Sequence, residues 1–330
     1  MAGKDFKVSP SATIDFLTTL LEAKPDLLYK PQGQGKCRGI DFYPTSMFMP
    51  ALSNALGTFF TAHKRLPDLI NLPTTADYFF KMKFFGEIPI APNPASKLDA
   101  QYYIPQSIKD DIKVPKRFWQ STQPCLPEDE EIPPGTYWLK LDLGNASLRK
   151  IEWPPSKDER SALNTTAQGW MESRYGVNWG EWWYGLGPQR IFIEEDLTDY
   201  LSTSSEVKIY VRQGKPVLYY TVQYLKKKVG NSKWLVNYFD ANHNLIPGYC
   251  SYGINGAKSK MAPPAVPENI EHYLALAAEI GKDFDLLRVD LITAQNDKPF
   301  LGELTLCSGN ARFVFTPTEL EDTIRNSLFS

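Results

Sequence analysis

The feature that most constrains the fold is a pair of short stretches near the end of the chain, residues 287–291 (Leu-Arg-Val-Asp-Leu) and 300–305 (Phe-Leu-Gly-Glu-Leu-Thr). Both have the apolar composition of a β-strand. The link between them, residues 294–299, contains Asn, Asp and Pro, which favour a turn. The two stretches are therefore predicted to be antiparallel neighbours in one sheet.

Polar side chains of these two strands are predicted to form a site. Side chains two positions apart in a strand share a face, so Arg288 and Asp290 lie together, and so do Glu303 and Thr305. Magnesium prefers oxygen ligands and binds through one or two carboxylates plus phosphate and water. The predicted ligands are Asp290, Glu303 and Thr305. Arg288 would neutralise charge on a transferred phosphoryl group, as in a nucleotide-triphosphate enzyme.

A lysine followed by a loop of small residues occurs in Trp138–Ser147, in which the sequence reads Trp-Leu-Lys-Leu-Asp-Leu-Gly-Asn-Ala-Ser. Small residues such as Gly144, Asn145 and Ser147 let backbone N–H groups approach phosphate oxygens, and Lys140 adds a positive charge. This pattern is typical of a phosphate-binding loop. The alternative is a solvent-facing lysine before a turn.

Two further segments have the pattern of a hinge and a strand of a nucleotide site. Residues 190–197 form an apolar strand that ends in paired acids, Glu194 and Glu195, and exposed backbone at such a hinge can pair with a purine edge. The strand at 206–210 places Lys208 on one face, where it could point at phosphate. The alternatives are a strand that ends in solvated acids and a half-exposed strand face.

Composition and charge exclude several classes of protein. Of the 330 residues, 42% are hydrophobic and 22% are charged, as in an ordinary globular protein. The formal net charge of −2 gives no reason to expect nucleic acid as a partner. No apolar stretch approaches the roughly 20 residues that cross a membrane, and the first residues lack the apolar core of a secretory signal. A cytoplasmic enzyme without stable membrane insertion is therefore expected.

The residues that other chemistries require are missing or scattered. The four cysteines are far apart and form no CxxC pair, which argues against a disulfide or zinc framework. The three histidines are dispersed, and the absence of a G-x-x-x-x-G-K-[ST] loop excludes an ordinary P-loop. The tryptophan-rich stretch at 179–184 is interpreted as packing between subdomains, with a sugar-stacking platform as the alternative.

Periodicity predicts an α+β fold with much antiparallel sheet. Helices are predicted over residues 11–29, 51–66 and 267–282. Strands are predicted over residues 137–141, 190–194, 206–212, 217–224 and 234–239, before the two strands of the metal site. A hairpin turn is predicted at 213–215.

Taken in order, these motifs resemble those of the ATP-grasp superfamily, and in particular its TupA-like branch, named for teichuronopeptide biosynthesis. The segments that carry the resemblance are Trp170–Tyr184, Arg190–Leu197, Glu206–Pro216, Phe284–Leu291, Gly302–Thr305 and Arg312–Phe313. It covers roughly residues 70–318 and rests on several motifs in the same order. It implies an ATP-grasp fold, in which two α+β subdomains grip ATP. The implied division is an N-terminal region at 1–95, a subdomain with the phosphate lid at 96–190, and a subdomain with the adenine hinge and metal site at 191–330.

The resemblance also implies roles for individual residues. Lys97 and Lys140 would hold the α- and β-phosphates, with Gly144, Asn145 and Ser147 in the flexible lid. Glu194, Glu195 and Leu197 would frame the adenine, mainly through backbone groups. Lys208 would also face phosphate, and it and Arg288 would act as the catalytic cations. Asp290, Glu303 and Thr305 would bind magnesium.

The implied activity is an ATP-dependent carboxylate–amine ligase that forms an acyl phosphate. Its cofactors would be ATP and Mg²⁺, and its substrates a carboxylate-bearing small molecule or glycan and an amine donor. A cell-surface polysaccharide precursor that carries a uronic acid is the expected acceptor. The alternatives are a sugar or polysaccharide kinase and a non-catalytic nucleotide-binding component of a polysaccharide assembly complex.

Overall fold

The computed structural model describes residues 8–229, 232–251, 266–294 and 298–329. The described α-helices are α1 Pro10–Ala23, α2 Pro25–Tyr29, α3 Gly39–Phe42, α4 Thr45–His63, α5 Thr75–Phe85, α6 Lys157–Ser173, α7 Ile270–Gly281 and α8 Thr318–Phe329. The described strands are β1 Lys36–Cys37, β2 Ile88–Pro89, β3 Arg117–Ser121, β4 Gly135–Leu141, β5 Leu148–Trp153, β6 Ile191–Glu195, β7 Leu201–Arg212, β8 Lys215–Val229, β9 Ser232–Asp240, β10 Leu245–Ile246, β11 Tyr249–Cys250, β12 Leu287–Ala294, β13 Phe300–Thr305 and β14 Phe315–Thr316. The α+β class predicted from the sequence is confirmed. Within the described ranges, no helix is both long and apolar enough to cross a bilayer.

The larger sheet has six strands in the order β10-β9-β8-β7-β12-β13, and each pair of neighbours is antiparallel. It contains the two strands predicted to carry the metal site, and these are antiparallel neighbours as expected. The predicted hairpin turn at 213–215 joins β7 to β8. Residues 295–297 of the predicted link between β12 and β13 lie outside the described residues. Helix α7 packs its apolar face on this sheet through Tyr273, Ala277 and Ile280, all buried.

The smaller sheet has four antiparallel strands in the order β3-β6-β4-β5. Its buried face packs on α6, where Leu163 and Ala167 contact Leu139 and Ile193 in a separate hydrophobic cluster. The segment before β3 bridges to the larger sheet, since the N–H of Lys113 donates to the carbonyl of Pro299 at 2.8 Å. This contact holds the two sheets on opposite sides of one cleft.

The N-terminal helices pack into the same core as the larger sheet. Trp182 and Trp183 are at most 1% exposed within this core, so the packing role predicted for the tryptophan-rich stretch is confirmed. The single helix predicted over residues 11–29 is wrong in one respect, because the structure has two helices, α1 and α2. Pro25 lacks an N–H donor and disfavours helical geometry at the residue before it. Lys24 accordingly has φ −144° and ends the first helix.

The three-part division of the chain stays a prediction. The strand before the adenine hinge, β6, lies in the smaller sheet although the division assigned it to the last segment. The hinge itself follows β6 and leads through a short 3-10 helix, Thr198–Tyr200, into β7 of the larger sheet. The chain therefore crosses from one sheet to the other at the predicted hinge.

Candidate nucleotide and metal site

The register of β12 and β13 brings the four residues of the predicted metal site together. Asp290 pairs with Glu303, and Arg288 pairs with Thr305. The hydroxyl of Thr305 donates to Glu303 Oε1 at 2.8 Å and accepts from Arg288 Nη2 at 2.8 Å. The structure thus places both acids, the hydroxyl and the guanidinium on one face of two neighbouring strands.

Asp290 lies at the centre of a buried ion cluster. Its two oxygens accept from Arg288 Nε at 2.6 Å and Nη2 at 2.7 Å, and Lys208 Nζ lies 2.5 Å from Oδ2. Burial opposes the charged form of Asp290, but the charges of Arg288 and Lys208 outweigh burial and lower its pKa. Lys208 also pairs with Glu206 at 2.6 Å. Because both carboxylates hold it, the lysine predicted to face phosphate has a defined position on β7.

The donor set fits a magnesium ion. Two carboxylates and one hydroxyl are hard oxygen ligands, and magnesium completes its six ligands with water and phosphate oxygens. Glu303 is the accessible acid, with its side chain 43% exposed, whereas the side chain of Asp290 is 4% exposed. Within the described ranges, no group of three His, Cys, Asp or Glu side chains is arranged to hold a metal. With two carboxylates and one hydroxyl from the protein, water and phosphate oxygens would complete the ligands of an ion at this site.

The predicted phosphate lysines lie on the opposite side of the cleft. Lys140, on β4, forms an ion pair with Glu194 on the neighbouring strand β6. Lys97 Nζ donates to the carbonyls of Asp142 at 3.0 Å and Gly144 at 2.5 Å. Burial lowers the pKa of Lys97, and the negative charge of Glu303 is the strongest influence that opposes this shift. The negative charge of Glu303 therefore favours the charged form of Lys97.

The predicted lid is the loop between β4 and β5. Gly144 is tied to Lys97 as described, while Asn145 Nδ2 lies 3.4 Å from the hydroxyl of Tyr175 and Ser147 Oγ lies 3.4 Å from the carbonyl of Asn145. Ala146 has a positive φ of +56°, a conformation unfavourable for a residue with a Cβ. The side chains of Asn145 and Ser147 thus make only long contacts, whereas the backbone of Gly144 is held by Lys97.

The predicted adenine hinge is only partly open to the cleft. Glu194 contributes to the cleft wall together with Lys97 and Lys140. Glu195 instead contacts Lys116, which it binds through its backbone N–H at 3.0 Å and through its carboxylate at 2.6 Å. Leu197 is buried, with 8% of its surface exposed. The hinge residues are therefore adjacent, but Glu195 is bound to the strand beside it.

The wall opposite the lysines comes from the larger sheet. Ile292, Leu301 and Gly302 line it, so the cleft has one charged side and one apolar side. An apolar wall suits a flat purine ring, and a wall with lysines suits phosphates. This arrangement is consistent with a nucleotide that lies between the two sheets.

Comparison with known proteins identifies the C-terminal part of the chain. Residues 188–328 match the sequence model of the TupA-like ATP-grasp family. This part of the chain is similar to TupA-like ATP-grasp proteins. The resemblance noted from the sequence is thereby confirmed for the hinge and the metal strands, which lie inside the matched range. The roles of individual site residues stay predictions, and Lys97, Lys140 and the lid lie upstream of the match.

Solved structures of ATP-grasp ligases are distantly similar to this chain. PsnB bound to its minimal precursor is 12% identical, with 67% of this chain and 55% of PsnB covered and a TM-score of 0.37. D-alanine–D-alanine ligase from Bacillus anthracis is 14% identical, with 72% and 67% covered and a TM-score of 0.40. D-alanyl-alanine synthetase A from Vibrio cholerae is 14% identical, with 78% of this chain and 73% of that protein covered and a TM-score of 0.39. At these TM-scores, the similarity carries no information about the substrate of this chain. No curated protein matches the sequence.

Three residues that the sequence analysis did not predict as site residues support the lysine side of the cleft. Asp142 is fully buried and accepts from Ser96 Oγ at 2.8 Å and from Arg190 Nε at 2.9 Å. Arg117, on β3, donates to the carbonyl of Lys97 at 2.9 Å. The sequence held one signal, since Asp142 stands two positions after Lys140. Nothing local marked Arg117 or Arg190, because their partners are distant in sequence.

Proposed function

We propose that this protein is an ATP-dependent carboxylate–amine ligase that acts through an acyl phosphate. The observation that carries the proposal is the pairing of two sets of groups across one cleft. Lys140 stands on β4 of the smaller sheet, Lys97 is bound to carbonyls of the loop after β4, and the acids Asp290 and Glu303 stand on the larger sheet. A triphosphate and its metal ion fit between such sets, because the phosphate charge meets cations on one side and the metal meets carboxylates on the other.

Each group has a role in the proposed reaction. Lys97 and Lys140 bind the α- and β-phosphates, Gly144, Asn145 and Ser147 close over them, and Glu194, Glu195 and Leu197 frame the adenine. Asp290, Glu303 and Thr305 would hold magnesium, which supplies charge neutralisation to the phosphate oxygens when bound. Lys208 and Arg288 stabilise the charge on the transferring phosphoryl group.

The chemistry consists of two transfers. A carboxylate oxygen of the acceptor attacks the γ-phosphorus, ADP leaves, and an acyl phosphate forms. The neutral amine then attacks the acyl carbon, phosphate leaves with the bonding electron pair of the broken C–O bond, and the leaving phosphate takes up the proton that the amine nitrogen releases. Arg288 keeps its proton throughout, since the effect of burial is outweighed by the carboxylate of Asp290, which raises the pKa of the guanidinium, and Lys208 stays beside the carboxylates of Glu206 and Asp290. Closure of the lid excludes water, which would otherwise hydrolyse the acyl phosphate.

The name of the matched family suggests a class of substrate. The TupA-like branch takes its name from a cell-surface polymer, so we propose that an amino acid or amine is joined to a uronic acid of a polysaccharide precursor. The need for ATP places this reaction in the cytoplasm. The fold itself sets no acceptor, because ATP-grasp enzymes vary in the groups that surround a common nucleotide site.

Product analysis tests this proposal. Purified protein is incubated with Mg-ATP, uronic acids such as glucuronic acid, and a panel of amines, and ADP and phosphate are measured with each substrate alone and with both. A ligase releases ADP and free phosphate in equal amounts only when acid and amine are both present. Phosphate that stays on the sugar, detected by ³¹P NMR, indicates a kinase instead. ATP binding without ADP production indicates a non-catalytic nucleotide-binding component.

A further inference from the structure

A second cluster of buried charged groups lies beside the C-terminal end of β13. It joins α5, the loop at 176–185, and the 3-10 turn Ser308–Ala311 that follows β13. We call it the junction cluster and define it by Lys83, Glu181 and Asn310. Lys83 Nζ donates to Asn310 Oδ1 at 2.5 Å, and Trp182 Nε1 donates to the carbonyl of Lys83 at 2.8 Å. Three segments far apart in sequence thus converge here, and the three residues that define the cluster have no role in the nucleotide site.

Glu181 has an unsatisfied carboxylate oxygen in this cluster. The residue is 5% exposed, and no atom of the described residues forms a hydrogen bond to its Oε2. Burial raises the pKa of Glu181 to about 7, and the charged groups that influence it are Lys83, Arg312 and Glu303. A buried carboxylate oxygen without a donor is unfavourable. An incoming cationic or N–H donor group would satisfy it.

Lys83 provides the opposite charge in the same cluster. It is fully buried, and its Nζ binds the neutral amide of Asn310 rather than a carboxylate. The rings of Phe80 and Phe84 lie 5.6 and 5.9 Å from the ammonium nitrogen. Burial lowers the pKa of Lys83. Buried cations are normally paired with an anion, so this side of the cluster is suited to an anionic group.

The backbone of the cluster is strained, as is common at binding sites. Gly309, Asn310 and Ala311 have φ of +59°, +56° and +58° in succession. This left-handed conformation is unfavourable for residues with a Cβ and persists only where surrounding contacts enforce it. One such contact is His63 Nε2 to the carbonyl of Ala311 at 3.0 Å.

The cluster also adjoins the proposed site of phosphoryl transfer. The turn of the cluster is bonded to the metal strands, since Arg288 Nη1 donates to Ser308 Oγ at 3.1 Å. On the outer side, the half-buried rings of Tyr175 and Tyr184 lie 5.3 Å apart, and Tyr175 contacts Asn145 of the lid. A ligand here would lie beside the turn that follows the metal strands and beside the ring of Tyr175 that contacts the lid.

We propose that the junction cluster is the binding site of the amine substrate and that this substrate is an α-amino acid. Its ammonium group binds the carboxylate of Glu181, which takes up the proton that the amine loses before it attacks the acyl carbon, and its carboxylate binds Lys83. The inference rests on the proposed ligase function, because a kinase or a binding component has no amine to bind. It adds to that function the recognition of a zwitterion, which neither the nucleotide site nor the family match specifies.

Ligand-dependent thermal stability tests the inference. The full chain is saturated with Mg²⁺ and the non-hydrolysable analogue AMPPNP, and its Tm is measured with each common L-α-amino acid and its D enantiomer. At least one amino acid is expected to raise Tm, whereas its N-acetyl derivative and its α-amide are not. These derivatives each remove one charge of the zwitterion, so the wild-type protein alone provides this part of the test.

A matched pair of variants assigns the site. Glu181→Gln is expected to weaken binding of that amino acid at least tenfold and to leave the AMPPNP shift unchanged. The control is Glu321→Gln, because Glu321 is another partly buried carboxyl and accepts from the N–H of Thr75 at 2.6 Å, outside the cluster. This variant should bind the amino acid like wild type.

The outcomes separate the two proposals. Absence of an AMPPNP shift in wild type rejects the proposed function. An AMPPNP shift without a response to any amino acid rejects only the amine site. Equal amino-acid affinity of Glu181→Gln and wild type, or equal responses to the amino acid and its N-acetyl derivative, also overturns the assignment of the ammonium to Glu181.

Discussion

The substitution Asp290→Ala is expected to destabilise the fold as well as abolish activity. Asp290 is the acid that binds Arg288 and also pairs with Lys208, and all three residues are at most 9% exposed. Removal of the carboxylate leaves two cations close together in a buried site, with Glu206 still beside Lys208. The two remaining cations are buried away from water and have lost their main anionic partner. Removal of one partner of a buried ion pair strongly destabilises the fold because the charge that remains is uncompensated.

The size of the effect follows from burial. Loss of one partner of a buried pair costs about 3–5 kcal/mol of the free energy of unfolding. In a chain of this size such a loss lowers Tm by roughly 4–7 °C. Glu303→Ala is the matched control, because Glu303 is 43% exposed and lies 3.7 Å from Arg288. An exposed pair of this kind contributes about 0–1 kcal/mol, so Glu303→Ala should lose ADP production while its Tm stays within roughly 3 °C of wild type.

The assays are thermal and urea unfolding at neutral pH, together with ADP release. Because the pKa of Asp290 is lowered from 3.8, its stabilising contribution is fully present above a pH of about 4 and is lost as pH falls through the lower pKa of the folded state. The difference between wild type and Asp290→Ala should therefore be constant from pH 5 to 8 and shrink in acid. Equal stability of Asp290→Ala and Glu303→Ala at neutral pH would refute the reasoning.

Further predictions concern the support of the site and the junction cluster. Asp142→Asn should raise KM for ATP roughly three- to tenfold, because the buried carboxylate orients the segment that holds the cleft lysines. Asp99→Asn is the control: Asp99 is more exposed, and an exposed ion pair contributes little, so KM should stay within about twofold of wild type. Wild type should lose roughly 1–3 kcal/mol of stability between pH 4.5 and 8, since the raised pKa of Glu181 lets the folded state keep a proton that the unfolded chain releases. Urea unfolding at both pH values should show this loss reduced in Glu181→Gln, and an identical loss in both proteins would contradict it. Gly180→Ala should lower stability by roughly 2 kcal/mol more than Gly187→Ala, because both have positive φ but only at Gly180 would a Cβ meet side-chain atoms, at 2.6–2.9 Å. Similar Tm values for the two alanine variants would show that the close approach there is relieved at little cost.

Local patterns predicted most of the secondary structure that carries the site. The alternation in the last two strands was sufficient to place Arg288 beside Asp290 and Glu303 beside Thr305, since side chains two apart in a strand share a face. The turn residues at 213–215 similarly marked the hairpin between β7 and β8. The helix at 11–29 was misjudged because the apolar spacing continued across Pro25, which interrupts the backbone hydrogen bonds of a helix whatever the side-chain pattern.

Sequence alone determined which side chains share a strand face and which family motifs occur in order, because both depend on residues close together in the chain. Only the tertiary structure decided what those side chains face. It placed Lys97 within electrostatic reach of Glu303, enclosed Asp290 between two cations, and brought Glu181 beside Lys83 across nearly a hundred positions. Burial and charge pairing depend on contacts between distant segments, and no periodic pattern in the chain encodes them.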